Sequence, residues 1–466
     1  MGDAMPPAEH AVVLGASMAG LLTARVLTEH FARVTIVERD TLPTGPDHRR
    51  GVPQGHHTHG ILASGRETLE RLFPGFTRAL IAEGAVPSDV LADCRWTFEG
   101  APLARVKTGM NALMCTRPFL ESQVRARVLA LPNVTLRVGQ AASLLHENGH
   151  SARVTGVRLQ SGEAITADLV VDATGRGSHA PQWLQAMGYD APREERVEVA
   201  LSYVTRFFRR EPHHMDGDLA AITPPTPDGK RGGVMLAQEG NRWTVTLIAH
   251  FVEPAGTDIE SFRAFTRHLA SPDIHDVVSV AEPLGDPVSA RFPASVRRRY
   301  ERLTRWPDGF IVTGDAVCSF NPIYGQGMSV SALEALALGD VLAAGRSQVG
   351  TRFFSRAARI VDGPWTTAVG NDLRMPEAVG PRSAIGNVIN AYVARLHRAA
   401  HTDGELARRF MRVANLLDEP PALFAPSVLW RTLRPHRRPG KAQPTQDLVE
   451  TPTLGGLRRS HRSWQG

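Results

Sequence analysis

The chain has 466 residues, of which 42% are hydrophobic and 21% charged, the balance of a soluble globular protein with room for two or three domains. No apolar run approaches the roughly 20 residues that cross a bilayer, which excludes a transmembrane class. The net charge of +6 resides in the segment from Arg431 onward, with eight Lys or Arg against two acidic residues; the rest of the chain balances to zero, so charge gives no ground for a nucleic-acid partner.

The N-terminus "MGDAMPPAEH" has neither the basic start nor the apolar centre of a signal peptide, and "GDAMPP" lacks the Ser or Thr of a myristoylation site. Cys94, Cys115 and Cys318 are odd in number and widely spaced, as reduced thiols in a cytoplasmic protein would be. The Arg-, Pro- and Gly-rich stretch 433–466 reads as a basic mobile tail.

In chain order, "AVVL" predicts a buried strand, a glycine turn follows, and Met18, Leu21, Leu22 and Val26 recur at helical spacing before the strand "VTIV". "GVPQGHHTHG" then gathers His56, His57 and His59. Helices are expected at "ILASGRETLERLF" and "RPFLESQVRARVLAL", and "LVVDATGRGS" runs from an apolar strand into a glycine turn. "VEVALSYVTRFFRR" and "GGVMLAQEGNRWTVTLIAHF" are β-rich, the second a hairpin turning near Gly240 and Asn241. "DIESFRAFTRHLA" is a helix opened by an acid. "GFIVTGDA" returns to a buried strand, "MSVSALEALALGDVLAAG" forms a long helix, and the rest to about residue 432 is helical. This order predicts an α/β fold: a discontinuous Rossmann-like cofactor domain (1–190 plus 285–345, with 85–115 on the substrate side), a β-sheet substrate domain (191–284) and a helical C-terminal region (346–432).

"GASMAG", Gly15 to Gly20, fits a dinucleotide turn with Ser17 in place of the second glycine. The first glycine allows the tight turn and the last lets helix and sheet approach. The N–H groups around Ser17, Met18 and Ala19 then face a pyrophosphate. Glu38, with Arg39 beside it, stands about twenty residues on, where an acid accepts from a ribose hydroxyl.

That turn alone does not separate NAD from FAD. A second constellation does: "GDAVCSFNPIYGQGMS" places Gly314 and Asp315 after a strand, and Pro322, Gly325, Gln326, Gly327 and Met328 at the start of a helix. Asp315 can accept hydrogen bonds from a ribityl chain, and the turn can bring N–H groups against the pyrimidine edge of an isoalloxazine. An NAD enzyme has no use for it.

Together, "GASMAG…VERD", "TRPFLESQVR", "VVDATGRGS" and "GDAVCSFNPIYGQGMS" resemble the FAD-dependent monooxygenases of the para-hydroxybenzoate hydroxylase fold. "GPDHRRGVPQGHHTHGIL" and "FNPIYGQGMS" are most similar to the flavin epoxidases of polyether pathways, the lasalocid and monensin type, over roughly the first 370 residues. The resemblance implies non-covalent FAD, with Glu38 on the adenosine ribose, Arg117 near the pyrophosphate and ribityl chain, and a cofactor-contacting arginine at Arg49 or Arg50, here assigned to Arg50. It implies O2 as co-substrate and oxygen transfer through a flavin C4a-hydroperoxide.

No acidic or cysteine partner stands at ligand spacing from the histidines, so no metal is expected. His57 and His59 are the candidate pocket groups that orient substrate or shuttle protons. "DATGRGSHAPQWL" has Thr174 and Pro181 where aromatic hydroxylases carry an acid and an arginine. FAD is therefore reduced by NAD(P)H directly or through a separate flavin reductase. Phe207, Met235 and Trp243, with Phe208, Leu236 and Phe251, are expected to wall an apolar pocket for a small lipophilic polyene or polyketide. Epoxidation is placed ahead of hydroxylation. The alternatives are a reductase or oxidase of the geranylgeranyl-reductase type and a non-redox cyclase scaffolded by FAD. A halogenase fits poorly, because no WxWxIP-like motif appears and Lys107 is the only lysine placed where a catalytic one could stand.

Overall fold

A computed structural model describes residues 8–147 and 152–435. The readings made for the extreme N-terminus, and all but the first residues of the basic tail, lie outside the described residues. A five-stranded parallel sheet has the order Phe310–Val312, Leu169–Asp172, Ala8–Leu14, Phe31–Glu38, Val134–Val138. Parallel strands need both faces covered. Helices Met18–Leu27, Arg117–Leu129 and Gly327–Ala343 pack together, and an antiparallel sheet of Ala141–Glu147, Arg153–Leu159 and Ala164–Thr166 packs against Leu169–Asp172. Phe310–Val312 enters this sheet from far along the chain, so the fold is the mixed α/β one expected, its nucleotide-type sheet assembled from separated segments.

An eight-stranded sheet forms the second body. Its order is Cys318–Ser319, Pro283–Arg298, Glu194–Arg209, Arg242–His250, Arg231–Gln238, Ala220–Thr223, Cys94–Phe98, Ala101–Pro102. The hairpin turns at Gly240 and Asn241, both with positive φ (73° and 50°), which matches the right-handed twist of the flanking strands. Pro283–Arg298 pairs along Glu194–Arg209 and runs across position 284, where the β-rich stretch was expected to end.

One face of this sheet packs on helices Ile259–Thr266 and Asp273–Val280. The first is capped by Asp258, whose side chain accepts from the Ser261 N–H at 2.8 Å. Trp243, Phe208 and Phe262 are fully buried there, each contributing about 2–3 kcal/mol of burial. The helices Val349–Asp372, Ala384–Ala400, Gly404–Ala414 and Pro426–Leu433 complete the described residues. Among the described residues no helix is long and apolar enough to cross a membrane.

Candidate active site

At the end of the first strand Gly15 has φ +98°, and a Cβ on it would lie 2.8 Å from the Ala173 carbonyl oxygen. A Cβ on Gly20 would lie 1.9 Å from the Gly15 carbonyl oxygen, so no larger residue fits at the helix–strand crossing. Ser17 gives no capping hydrogen bond to the helix it opens. Its Oγ instead accepts from the Arg117 guanidinium at 2.9 Å. Gly15, Ser17, Met18 and Ala19 border one large cavity, while Gly20 lies behind them as the residue that permits the approach.

Glu38 closes the second strand at the cavity wall, with Arg39 exposed beside it. Its carboxylate accepts from the N–H groups of Ala16 (2.7 Å) and Asp40 (3.0 Å). Of the two adjacent arginines, Arg50, to which the cofactor contact was assigned, is exposed and does not border the cavity, whereas Arg49 does. Arg49 lies 3.3 Å from both Glu38 and Asp40, donates to Glu121 at 2.9 Å and to the Ala16 carbonyl at 3.0 Å. Glu121 also accepts from Arg117 at 3.1 Å. Two buried cations are thus held by three acids, and adjacency in sequence could not say which arginine turned inward.

At the other end of the cavity, Gly314 (φ +66°) follows the strand Phe310–Val312; a Cβ there would come within 2.7 Å of the Ala19 Cβ. This brings the two glycine turns together across 300 residues of sequence. The Gly314 N–H donates to Glu334 at 2.7 Å, and burial pushes the Glu334 carboxyl up to about 7. Asp315 borders the cavity and its carboxylate has no hydrogen-bond partner among the described residues. Burial raises its pKa, against the pull of the Arg117 and Arg176 cations. Pro322, Gly325 (φ +64°), Gln326, Gly327 and Met328 line the same end. The Gln326 Oε1 is buried without a partner. Paired glycine turns, an unpartnered Asp315 and a helix start on either side fit a dinucleotide flavin laid from Glu38 to Gln326.

His57 and His59 both border the cavity. His57 Nδ1 lies 2.8 Å from Thr205 Oγ1, and the hydroxyl chain continues to Thr246 (2.6 Å) and Thr58 (2.6 Å). His59 Nδ1 lies 2.9 Å from the His57 carbonyl. Burial, then the neighbouring His56 and His48, pushes His57 down to about 4. Burial, then the Arg117 cation, pushes His59 down to about 3. Both are neutral imidazoles at pH 7, while His56 stacks on His48 at 3.6 Å. Among the described residues no three His, Cys, Asp or Glu side chains converge to hold a metal.

Of the residues expected on the substrate side, Leu236 borders the cavity and the others lie elsewhere. Met235 and Trp243 are fully buried in the core beneath the helices, with Phe208; Phe207 is half-buried under the Arg242 guanidinium, and none of the four borders the cavity. The strands alternate, so their neighbours Val234, Leu236, Thr246 and Ile248 face the cavity, with Tyr203, Ile222 and Phe292. Period-two patterning marks two faces, and both are apolar here, so composition could not choose between them. Phe251 stacks on His250 away from the cavity.

Two further polar side chains enter the site. Arg176 lies over the Phe292 ring at 4.6 Å. The Tyr324 hydroxyl donates to Asp372 at 2.7 Å and accepts from Asn371 at 2.9 Å. Burial pushes Asp372 up to about 7. Both cavity residues stand inside motifs already singled out, but Asp372 is 48 residues from Tyr324 and carried no local signal. Thr174 and Ser178, in the departing segment, both donate to the buried Asp172. The cavity as a whole measures about 1840 Å³ and extends from Glu38 to the C-terminal helices.

The sequence matches the family described as FAD binding domain over residues 9–350. Protein Rv3254 of Mycobacterium tuberculosis (strain ATCC 25618 / H37Rv) is 34% identical over 446 residues, covering 91% of this chain and 92% of its own. Among solved structures, the flavin-dependent brominase Bmp2 superposes with a TM-score of 0.62 at 13% identity, over 87% of this chain and 93% of that one. PqsL, a probable FAD-dependent monooxygenase from Pseudomonas aeruginosa, gives 0.54 at 17% identity, over 86% and 99%. At such identities these structures speak for the fold.

Proposed function

Because the chain belongs to the FAD binding domain family, we propose that it is an FAD-dependent monooxygenase that transfers one oxygen atom of O2 to a lipophilic alkene of polyene or polyketide type. The observation that carries this reading is one continuous cavity joining the nucleotide cradle to an apolar chamber. Bound FAD would supply the redox chemistry and the activation of O2. Electrons come from NAD(P)H, directly or through a flavin reductase.

The chain's own part is holding, orienting and drying. Gly15, Ser17 and Glu38 would hold the adenosine and pyrophosphate end, with Arg117 across the turn; Asp315, Gly325 and Gln326 would hold the flavin end. Val234, Leu236 and Ile248 keep water from the reacting centre. His57 and His59 orient the substrate as neutral groups. Conjugate acids near 4 and 3 make weak bases, which suits oxygen transfer to an alkene, where no proton leaves carbon, better than ring hydroxylation. This agrees with the motif likeness to the polyether epoxidases.

Halogenation fits less well. Lys107 is exposed and outside the cavity lining, Lys230 is bound to Glu377, and no lysine borders the cavity among the described residues. The test is turnover of candidate polyenes by reduced holoenzyme under oxygen-18. Label in the product supports the reading; product without label, or alkene reduction, overturns it.

A further inference from the structure

Six large apolar side chains stay exposed on the C-terminal helices: Ile385 (73%), Val388 (70%), Ile389 (38%), Phe424 (38%), Trp430 (64%) and Leu433 (54%). Ile385, Val388, Ile389 and Tyr392 stand at i, i+3, i+4 and i+7, on one side of the helix Ala384–Ala400. Tyr392 stacks on Phe424 at 4.8 Å and donates to the Leu423 carbonyl at 2.6 Å. Arg395 donates to the Thr432 and Leu433 carbonyls, tying this helix to Pro426–Leu433, where Trp430 and Leu433 share a side. The apolar surface is continuous with the cavity, because Ile389 and Phe424 also line its wall.

The charge of this region is net positive: residues 384–435 hold seven Arg against four acids, with Arg398 paired to Glu99 and both Arg431 and Arg434 paired to Asp403, and the sequence beyond residue 435 is itself basic, six Lys or Arg against two acids. A second copy docked by a twofold axis would bring two net-positive faces together. An anionic bilayer surface satisfies both features at once: aliphatic side chains enter the acyl boundary, Trp430 sits at headgroup level and the net positive charge of the region meets anionic headgroups.

We propose that this face docks on an anionic lipid surface, so that the cavity mouth opens toward the bilayer and a lipophilic substrate enters without crossing water. The docking stands on the surface alone; the substrate entry rests on the function proposed above.

The test is flotation of the full-length holoenzyme with vesicles of phosphatidylcholine, with and without phosphatidylglycerol. Flotation with the mixed vesicles is expected, and the double variant Ile385→Glu, Val388→Glu should lower the bound fraction about 10-fold, with Trp430→Ala lowering it less. Unchanged flavin spectrum and melting temperature certify that each variant is folded, and flotation needs no turnover, so failure of the oxygenase reading leaves this result independent. The proposal is overturned if the holoenzyme does not float, or if both variants float like the parent, which would mean that basic residues alone bind. A dimer by light scattering that the double variant dissociates would likewise overturn it in favour of a second copy.

Discussion

His57 Nδ1 lies 2.8 Å from the hydroxyl of Thr205, joining the loop after the ribose-side strand to the substrate sheet across 148 residues of sequence. The bond fixes the imidazole that faces the cavity and seats the loop on the sheet. Thr205→Val keeps the shape and removes the partner. A buried ring nitrogen left unpaired costs about 1–3 kcal/mol, so the melting temperature should fall. If His57 orients substrate, turnover should also drop about 10-fold while FAD content holds. Wild-type turnover in this variant would remove that role.

The pH dependence has a definite sign. His57 and His59 are held near 4 and 3 in the folded chain, against about 6.5 when unfolded. The unfolded state therefore binds protons first. The stability these neutral imidazoles contribute is complete above pH 6.5 and is lost as pH falls toward 4. His57→Gln should melt below the parent at pH 7, with the gap narrowing by pH 5. A gap independent of pH would contradict the buried neutral state.

Arg49 and Arg50 are adjacent and should behave differently. Arg49→Ala leaves Glu38 without its cation in a buried setting and Glu121 with Arg117 alone, a loss of about 3–5 kcal/mol, and FAD retention should fall with it. Arg50→Ala should change melting temperature and flavin content little. Equal effects would restore Arg50 as the inward residue.

The two faces of the substrate sheet are separable at neighbouring positions. Met235→Ala opens a hole in the core and should cost about 2–5 kcal/mol without changing substrate preference. Leu236→Trp intrudes on the cavity and should raise KM for bulky substrates with a modest change in stability. Steady-state kinetics over a chain-length series, with calorimetry, checks both.

Gly20→Ala tests the cradle directly. Its Cβ would collide with the Gly15 carbonyl, so helix and strand must part, and binding of FAD should weaken by at least about 10-fold. Flavin titration of the purified apoprotein reads this. Undiminished affinity would detach the turn from the cofactor.

The sequence by itself determined the α/β order, the turn at Gly15 to Gly20, the hairpin at Gly240 and Asn241 and the second turn at Gly314 and Asp315. These are local: a positive φ, a tight crossing or a strand-to-helix spacing demands particular residues within a few positions. What only the tertiary structure decided involves choices that local chemistry leaves equal. Arg49 rather than Arg50 turned inward because Glu121, 72 residues away, waits for it. Leu236 rather than Met235 faces the cavity because helices carrying Phe262 and Ile274 cover the other side. Tyr324 lies inside the second glycine motif, whereas Asp372 carries no local signal, since a buried carboxylate acquires its role only where a distant helix ends beside the site. Distant packing, not residue type, settles which of two apolar faces or adjacent cations meets the site.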